Sequence, residues 1–395
     1  MSLLQHEELI KEGLATLVIP RLDYYRRADG VVEPAWMPVF YNPQAVLSRD
    51  FTSMFLIYAM RGRGLFFVDA LSGTGVRGIR IALEAGGVGI VNDVDPRAHY
   101  YMVKNAKLNG LEGRIEVYNS EANTLLNNLV LAGMVVDYVD IDPYGSPSPY
   151  IDSALKPLAK EAYIGITATD TGTLSCSYPY KALTRYWSNC VKLDFEKEFA
   201  IRLLISNVVL RGGALEVALE PLLSLAYKFY VRVFFKTTRS AKQARRLVEE
   251  CIGYLWYCPN TLERGFTSDV NNLDVRCSDG TKPILMGRVW TCNIQNHEVT
   301  SYIAHLAQKL DWVSEESKTI SSLIALESSI NTPYYRLDKL CSTLRLNMPS
   351  PAIVVKKLAE LGYKSSRTHM DPRGVKTDAP YDALVEVVRE LVGRR

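Results

Sequence analysis

The chain has 395 residues, of which 48% are hydrophobic and 23% charged, with a net charge of +3. No apolar run approaches the roughly 20 residues that span a bilayer, and the N-terminus lacks the basic and apolar regions of a secretory signal. Seven scattered cysteines argue against a disulfide framework and for a reducing compartment, so a cytoplasmic protein without membrane association is expected. The mild positive charge permits a nucleic-acid partner without demonstrating one.

Short apolar runs alternate with helical patterns from about residue 65 to residue 217. This rhythm predicts βαβ units, and therefore an α/β fold with a mostly parallel sheet. The predicted strands are 65–68, 88–91, 115–117, 135–141, 163–167 and 229–235, and the helices between the early strands are 76–85 and 98–108.

The pattern loosens into turn-rich sequence near Tyr257, which predicts a domain boundary there. We therefore expect a catalytic domain over 1–258 and a smaller α+β domain over 259–395. Two short helical patterns near the end, followed by an irregular basic segment and a last helix from Tyr381, suggest a winged-helix-like unit.

A glycine-rich segment lies between the first predicted strand and its helix. It begins with Asp69 and contains Gly73, Gly75 and Gly78. Glycines allow a ligand to approach the backbone closely, and the helix N-terminus favours negative charge. Asp93 follows at the end of the next strand, where a carboxylate accepts hydrogen bonds from ribose hydroxyls. The arrangement predicts a nucleotide cofactor, but the glycine spacing alone fits both a dinucleotide and S-adenosylmethionine (SAM).

The segment Asp142-Pro143-Tyr144-Gly145 ends a strongly apolar strand and decides between these cofactors. A carboxylate and a carbonyl can accept both hydrogens of an amine on a base, and a ring can stack on that base. Hydride transfer has no use for these three groups, whereas methylation of an amine does. We therefore predict SAM, with Asp142, Pro143 and Tyr144 catalytic. Glu121 could bond an adenine amine or be a solvated acid before a helix.

These residues belong to a larger set of motifs. The chain resembles the tRNA (guanine-26-N2)-dimethyltransferases over most of its length. The segments that carry this resemblance are 39–43 with 48–50, 71–80, 140–147, 167–171, 221–224, 366–369 and 376–380.

The resemblance implies a Rossmann-like, SAM-dependent methyltransferase domain that transfers one or two methyl groups to the N2 amine of guanine-26 in tRNA. It implies SAM contacts at Arg49, Arg77, Asp93, Glu121 and the backbone of Ala122. Without it, Arg49 reads as a surface or helix-cap arginine. The chain departs from the family where Tyr144 replaces phenylalanine, Glu121 replaces aspartate and Ser48 replaces asparagine.

Metal binding is not expected. Some family members carry paired Cys-x-x-Cys knuckles in the second domain, a spacing suited to structural zinc. Here Cys258 and Cys277 each lack the second cysteine of the pair, and no histidine replaces it.

Two basic segments are candidate tRNA contacts. The segment 236–246 places several cations at helical spacing, but Glu249 and Glu250 could balance them as a solvated face. The resemblance favours the C-terminal segment instead, whose candidate RNA-binding residues are Arg367, His369, Arg373 and Lys376.

Three other functions remain open on the sequence. The first is an amino methyltransferase acting on adenine or cytosine in DNA or RNA, and the second is a non-catalytic RNA-binding subunit. The third, a dehydrogenase, is the weakest, because it leaves Asp142, Pro143 and Tyr144 unexplained.

Overall fold

A computed structural model of the chain describes residues 3–271 and 275–393. The strands are β1 (Glu7–Glu12), β2 (Ala15–Pro20), β3 (Phe66–Asp69), β4 (Val88–Asn92), β5 (Ile115–Tyr118), β6 (Val136–Ile141), β7 (Leu158–Ala168), β8 (Val217–Tyr227), β9 (Tyr230–Arg239), β10 (Ile252–Tyr257), β11 (Arg264–Thr267), β12 (Ile284–Trp290), β13 (Tyr335–Arg336), β14 (Ser365–Arg367) and β15 (Gly374–Thr377).

The helices surround these strands. They are α1 (Val46–Met60), α2 (Val76–Arg80, continued by a π-helical segment, Ile81–Ala85), α3 (Pro96–Leu108), α4 (Ala122–Leu131), α5 (Ile151–Leu155), α6 (Thr171–Leu174), α7 (Pro179–Tyr186), α8 (Glu196–Ala214), α9 (Ala241–Cys251), α10 (His297–Lys309), α11 (Glu315–Glu327), α12 (Leu337–Leu344), α13 (Pro351–Glu360) and α14 (Tyr381–Gly393). Short 3-10 turns lie at Leu22–Tyr25, Pro34–Trp36 and Pro43–Ala45.

A seven-stranded sheet with the order β5-β4-β3-β6-β7-β9-β8 forms the centre of the molecule. Its first five strands are parallel, and β9 and β8 are antiparallel additions at one side. The strand order reverses direction between β3 and β6, where open α/β sheets bind ligands at the carboxyl ends of the strands. The predicted α/β, Rossmann-like fold is confirmed.

Helices cover both faces of this sheet and divide the apolar interior into two clusters. One cluster combines α4, α5 and α8 with the sheet and extends into α12, α13 and α14. The other combines β2, α1, α2 and α3 with α10 and α11. Both clusters thus contain residues from before and after position 258, and the domain boundary proposed there stays a prediction.

The last part of the chain contains the elements expected for it. A small sheet of order β13-β15-β14 is flanked by α12, α13 and α14. The basic segment 236–246 differs from its prediction, because its first four residues complete β9, Ser240 caps the helix and only residues 241–246 lie in α9. Arg245 and Arg246 of α9 pair with Glu249 and Glu250 one turn later, as the solvated-face interpretation expects.

The prediction that the cysteines form no disulfide framework is wrong. Six of the seven cysteines form disulfides, namely Cys176–Cys190, Cys251–Cys292 and Cys258–Cys277. Each pair joins residues far apart in sequence that the fold brings together, which spacing alone does not reveal. Disulfides also occur inside cells of hyperthermophiles, so they do not by themselves assign a compartment. Within residues 3–271 and 275–393, no helix is long and apolar enough to cross a membrane.

Candidate active site

The carboxyl ends of β3, β4, β6 and β7 open into a cavity of about 300 Å³. Gly73 and Asp93 line it on the β3–β4 side, Asp142 lies in the middle, and Thr167 and Tyr230 line the β7–β9 side. The cavity also contains Phe40, Asn42, Ala45, Ser48, Arg49, Leu71, Pro143, Tyr144, Tyr150, Thr169 and Phe229. The topology therefore brings together the glycine segment and the Asp142 segment, as predicted.

The glycine segment is shaped by a close backbone approach. Gly73 has φ +54°, and a Cβ added there would lie 2.7 Å from the carbonyl oxygen of Phe40. Its N–H donates to Asp93 Oδ2 at 2.9 Å, which fixes Asp93 at the end of β4. Asp93 Oδ1 accepts the N–H of Asp95 at 3.0 Å. Each carboxylate oxygen keeps a second lone pair, so Asp93 can still accept from a ribose hydroxyl.

Asp69 and Gly75 fix the shape of this glycine segment, Asp69 by a hydrogen bond and Gly75 by its backbone conformation. Gly75 has φ +81° and lies directly before α2, a conformation that favours glycine. Asp69 is buried and its Oδ2 accepts the N–H of Gly78 at 3.1 Å. Burial, together with nearby Asp140, raises the pKa of Asp69 to about 7. Asp69 thus holds the segment from the protein interior, and the cavity wall is formed by its neighbours.

Arg77 holds the carboxylate of Asp142. Its Nη2 forms an ion pair with Asp142 Oδ2, and its Nε lies 3.3 Å from Asp140 Oδ1. Its Nη1 donates to Thr52 Oγ1 at 2.7 Å. Burial would lower the pKa of Arg77, but Asp140 and Asp142 outweigh it and raise that pKa. The structure therefore gives Arg77 a role in orienting Asp142, beside the SAM contact that the resemblance implies.

A second buried arginine stabilises the strand ends behind Asp142. Arg232 of β9 forms an ion pair with Asp140, and its Nη1 donates to Thr167 Oγ1 at 2.5 Å. The hydroxyl of Tyr138 donates to the same carboxylate. Burial would raise the pKa of Asp140, but Arg232 and Arg77 outweigh it and lower that pKa. Asp140 is thus an ionised anchor that links β6 to α2 and β9.

Tyr144 stands at the mouth of the cavity with most of its side chain exposed. Its side chain is 81% exposed, and Phe40, which is 46% exposed, meets it edge-on at 6.4 Å between ring centroids. The turn that carries Tyr144 is tied to the end of β7, because the N–H of Gly145 donates to Thr169 Oγ1 at 2.6 Å. Two exposed rings at one mouth suit a planar ligand.

Arg49 lines the cavity but is already paired. Its Nε and Nη2 donate to the two carboxylate oxygens of Glu12 at 2.6 Å each, and it lies over the ring of Tyr41. Burial would raise the pKa of Glu12, but Arg49 and Arg80 outweigh it and lower that pKa to about 2. Contact between Arg49 and a cofactor stays a prediction.

Glu121 and Ala122 lie at the start of α4, next to the strand that carries Asp93. Glu121 is exposed and caps this helix, since its Oε2 accepts the N–H of Thr124 at 2.8 Å. Asn119, two residues earlier, donates to the carbonyl oxygen of Asp93 at 2.8 Å. The two segments are thus neighbours, and contact with an adenine here stays a prediction.

Sequence reasoning missed Tyr230, the first residue of β9. Its side chain is 3% exposed, and its hydroxyl has no hydrogen-bond partner among the described residues. It lines the cavity on the side opposite Asp93. A buried hydroxyl without a partner is costly, and Tyr230 carries one in the wall of the cavity, which makes it a candidate ligand contact. Its place at a strand end beside Asp142 depends on antiparallel pairing that the sequence does not show.

The predicted RNA-binding segment is divided by the fold. Arg367 and Arg373 are exposed. His369 and Lys376 are buried, and their interpretation as RNA contacts is wrong for this structure. His369 Nδ1 pairs with Glu327, and Lys376 Nζ lies 3.2 Å from Glu198 Oε1. Carboxylates inside the protein thus hold both side chains. For Lys376 this is expected, because an unpaired buried charge is prohibitively costly.

Metal ligands do not converge in the part of the chain that the structure describes, where His, Cys, Asp and Glu form no suitable group of three. Cys258 and Cys277, which lie where some family members carry the zinc knuckles, are bonded to each other.

The site fits a nucleoside cofactor bound beside Gly73 and Asp93, with the carboxylate of Asp142 next to the cofactor's reactive group. The chain passes so close to Phe40 at Gly73 that no side chain fits there. Asp93 keeps lone pairs that can accept from a ribose, and the cavity continues from Asp93 to Asp142. Asp142, Pro143 and Tyr144 at its far end supply the acceptors and ring that a base amine needs. Fold and site together define a Rossmann-like, SAM-dependent methyltransferase.

Comparisons with known proteins specify the family. The sequence profile of the N2,N2-dimethylguanosine tRNA methyltransferases matches residues 25–389, and the chain belongs to this family. It is 35% identical to the tRNA (guanine(26)-N(2))-dimethyltransferase of Sulfolobus acidocaldarius, with 98% of both chains covered.

Two further matches bear on substrate and cofactor. A tRNA (guanine(26)-N(2)/guanine(27)-N(2))-dimethyltransferase of Aquifex aeolicus is 31% identical, with 97% of this chain and 96% of the relative covered. The complex of Trm1 from Pyrococcus horikoshii with S-adenosyl-L-methionine superposes with a TM-score of 0.83 at 26% identity, covering 96% of this chain and 99% of that one.

Proposed function

We propose that this protein transfers methyl groups from SAM to the exocyclic N2 amine of guanine-26 in tRNA. The observation that carries the chemistry is the position of Asp142, Pro143 and Tyr144 at the end of β6, in one cavity with Gly73 and Asp93. The tRNA substrate and position 26 follow from family membership and from the relatives' names.

The order of strands separates the two ligands. The Gly73 segment and Asp93 follow β3 and β4, whereas Thr167 and Tyr230 belong to β7 and β9 on the other side of β6. Residues Asp69, Gly73, Gly75, Arg77 and Asp93 would hold or shape the cofactor site, with Arg49, Glu121 and Ala122 as further contacts. The base would then occupy the β7–β9 side, and Asp142 lies between the two.

SAM, when bound, supplies an electrophilic methyl group. The amine of guanine is a weak nucleophile because its lone pair is delocalised into the ring. The Asp142 carboxylate and the Pro143 carbonyl accept its two hydrogens, which orients the lone pair away from them. Arg77 keeps the carboxylate in place, and Tyr144 stacks on a base taken out of its helix.

Asp142 also stabilises the positive charge that develops on the nitrogen and can accept the proton that is lost. After one transfer the amine still has one hydrogen, and one acceptor is then sufficient. A second transfer to the same nitrogen is therefore feasible at the same site.

We further propose that residues 259–395 form the tRNA-binding part of the protein, winged-helix-like toward its end. The arrangement of α12, α13 and the β14–β15 hairpin supports this proposal. Of the four residues suggested by sequence, Arg367 and Arg373 are the ones that remain exposed. A tRNA substrate also favours a cytoplasmic location.

The test is methyl incorporation from labelled SAM into unmodified tRNA transcripts, followed by nucleoside analysis. We expect N2-methylated guanosine that disappears when guanine-26 is replaced. Replacing guanine-27 instead shows whether the neighbouring position is also used. Transfer that persists without guanine-26 would refute the position, and transfer to adenine or cytosine would refute the base.

The Asp142→Ala variant tests the mechanism in the same assay. Loss of the acceptor should lower the rate of methyl transfer by at least about 100-fold, with SAM binding retained. Asp152→Ala is the matched control, because it removes a half-exposed carboxylate of α5 whose one ion-pair partner among the described residues is Arg211. Turnover of the Asp142 variant close to that of the Asp152 variant would contradict the proposed role.

A further inference from the structure

A second cavity, of about 250 Å³, adjoins the catalytic one. The ammonium-bearing side chains Lys192, Lys197 and Lys228 line it, against one carboxylate, Glu196. Hydroxyl groups of Thr171, Ser175 and Ser177 complete its polar wall. A net positive lining with hydroxyl donors suits a phosphate.

The second cavity lies at the same edge of the sheet as the catalytic site. Lys228 belongs to the turn between β8 and β9, and the segment that starts at Thr171 follows β7. Ala168 of β7 pairs with Val231 of β9, so both connections emerge at the carboxyl end of β7. Tyr230 lines both cavities and forms the wall between them.

The lysines are available for an anion to different degrees. Lys192 is exposed and has no ion-pair partner among the described residues. Lys228 lies 3.8 Å from Glu316 in a half-exposed pair, an interaction that contributes little. Lys197 is half-buried, its Nζ donates to the carbonyl oxygen of Met370 at 2.7 Å, and burial lowers its pKa. An anion in the cavity would therefore favour the charged form of Lys197.

We propose that this second cavity binds a phosphate of the RNA chain immediately next to the target guanosine. The proposal rests on the function proposed above, which places a guanine on the β7–β9 side of Asp142. The nucleotide that carries this base would extend its backbone past Tyr230, which both cavities share, toward the lysines. The phosphate contact would hold the extruded nucleotide by its backbone while Asp142 and Tyr144 hold its base.

The test compares a Lys192→Gln, Lys228→Gln double variant with the unaltered protein in tRNA binding at several salt concentrations. The plot of log affinity against log salt should become shallower by about 1 for the lost phosphate contact, with SAM affinity unchanged. The control is Lys107→Gln, Lys160→Gln. Both are exposed, in the last turn of α3 and at the start of β7, at the opposite edge of the sheet.

Replacing one phosphate of the RNA by an uncharged group tests which phosphate the lysines contact. An uncharged methylphosphonate beside guanosine-26 should weaken binding to the unaltered protein and have no further effect on the double variant. Additive losses, an unchanged salt slope, or an equal change in the control pair would each overturn the proposal. The proposed function is judged separately, since methyl transfer to guanine-26 by the unaltered protein is measured without reference to the lysines.

Discussion

The catalytic edge of the sheet and the C-terminal β14–β15 hairpin both carry motifs of the family, but they use charge differently. At the catalytic edge, Asp142 is paired with Arg77 and still faces a cavity. In the hairpin region, His369 and Lys376 are paired inside the protein with Glu327 and Glu198. A motif of charged residues thus marks function at one place and structural anchoring at the other.

The partner of Lys376 explains this difference. Glu198 belongs to α8, which packs on the central sheet, and it also pairs with Arg202 at 2.8 Å and accepts the N–H of Tyr334 at 3.1 Å. Lys376 therefore fastens the C-terminal sheet to α8. The presence of Lys376 in this motif is explained by the buried carboxylate of Glu198 that it pairs with.

The largest expected effect comes from breaking this anchor. Lys376→Ala should lower the free energy of unfolding by about 3–5 kcal/mol, because it leaves the Glu198 carboxylate buried with one cation fewer. Urea unfolding of the variant and the unaltered protein measures the difference.

Arg367→Ala is the matched control for this variant, since it removes an exposed cation of the same hairpin. It should change the free energy of unfolding by less than about 0.5 kcal/mol. If both variants lost stability equally, or if Lys376→Ala weakened tRNA binding without affecting stability, the anchoring role would be wrong.

Periodicity predicted the parallel part of the sheet because its strands are short apolar runs between helices. It did not predict β8, which reads as one long apolar stretch interrupted by Pro221. Pro221 lies where the pairing of β8 with β9 shifts register, on an edge strand. Proline is tolerated at such bulges, but a sequence pattern treats it as the end of a strand.

The candidate site was predictable where one segment contains the chemistry. Asp142, Pro143 and Tyr144 are consecutive, and Gly73 and Asp93 lie in adjacent βαβ segments. Contacts between distant segments were not predictable. Lys376 and Glu198 are 178 residues apart, and the three disulfides likewise depend on tertiary structure. Tyr230 gave no signal, because an isolated tyrosine in an apolar strand resembles any core residue.

The catalytic edge has an anchor of its own, the buried ion pair of Glu12 with Arg49. The pKa of Glu12 is about 2, below its ordinary value of 4.5, because Arg49 and Arg80 outweigh the effect of burial. Its ionised form thus contributes about 3 kcal/mol to stability above pH 4.5. This contribution is lost progressively as the pH falls from about 4.5 toward 2.

Glu12→Gln checks this assignment. The variant should be less stable than the unaltered protein by about 3 kcal/mol at pH 7, and the gap should narrow as the pH falls below 4.5. Urea unfolding at pH 7, 5, 4 and 3 measures the gap. A gap that is independent of pH would show that Glu12 acts through packing and not through its charge.

The smallest effect sharpens the comparison at the catalytic edge itself. Tyr230→Phe removes a buried hydroxyl that has no partner among the described residues, so stability should be unchanged or slightly higher. If this hydroxyl bonds the base, kcat/KM for tRNA should fall about fivefold, the value of one hydrogen bond of about 1 kcal/mol, while SAM affinity stays the same.

Tyr186→Phe is the opposite case, because its hydroxyl bonds Asp170 at 2.6 Å inside the protein, and it should lower stability. Unchanged tRNA kinetics in Tyr230→Phe, or a loss of stability like that of Tyr186→Phe, would make Tyr230 a core residue and leave the β7–β9 side of the cavity without a group that reads the base.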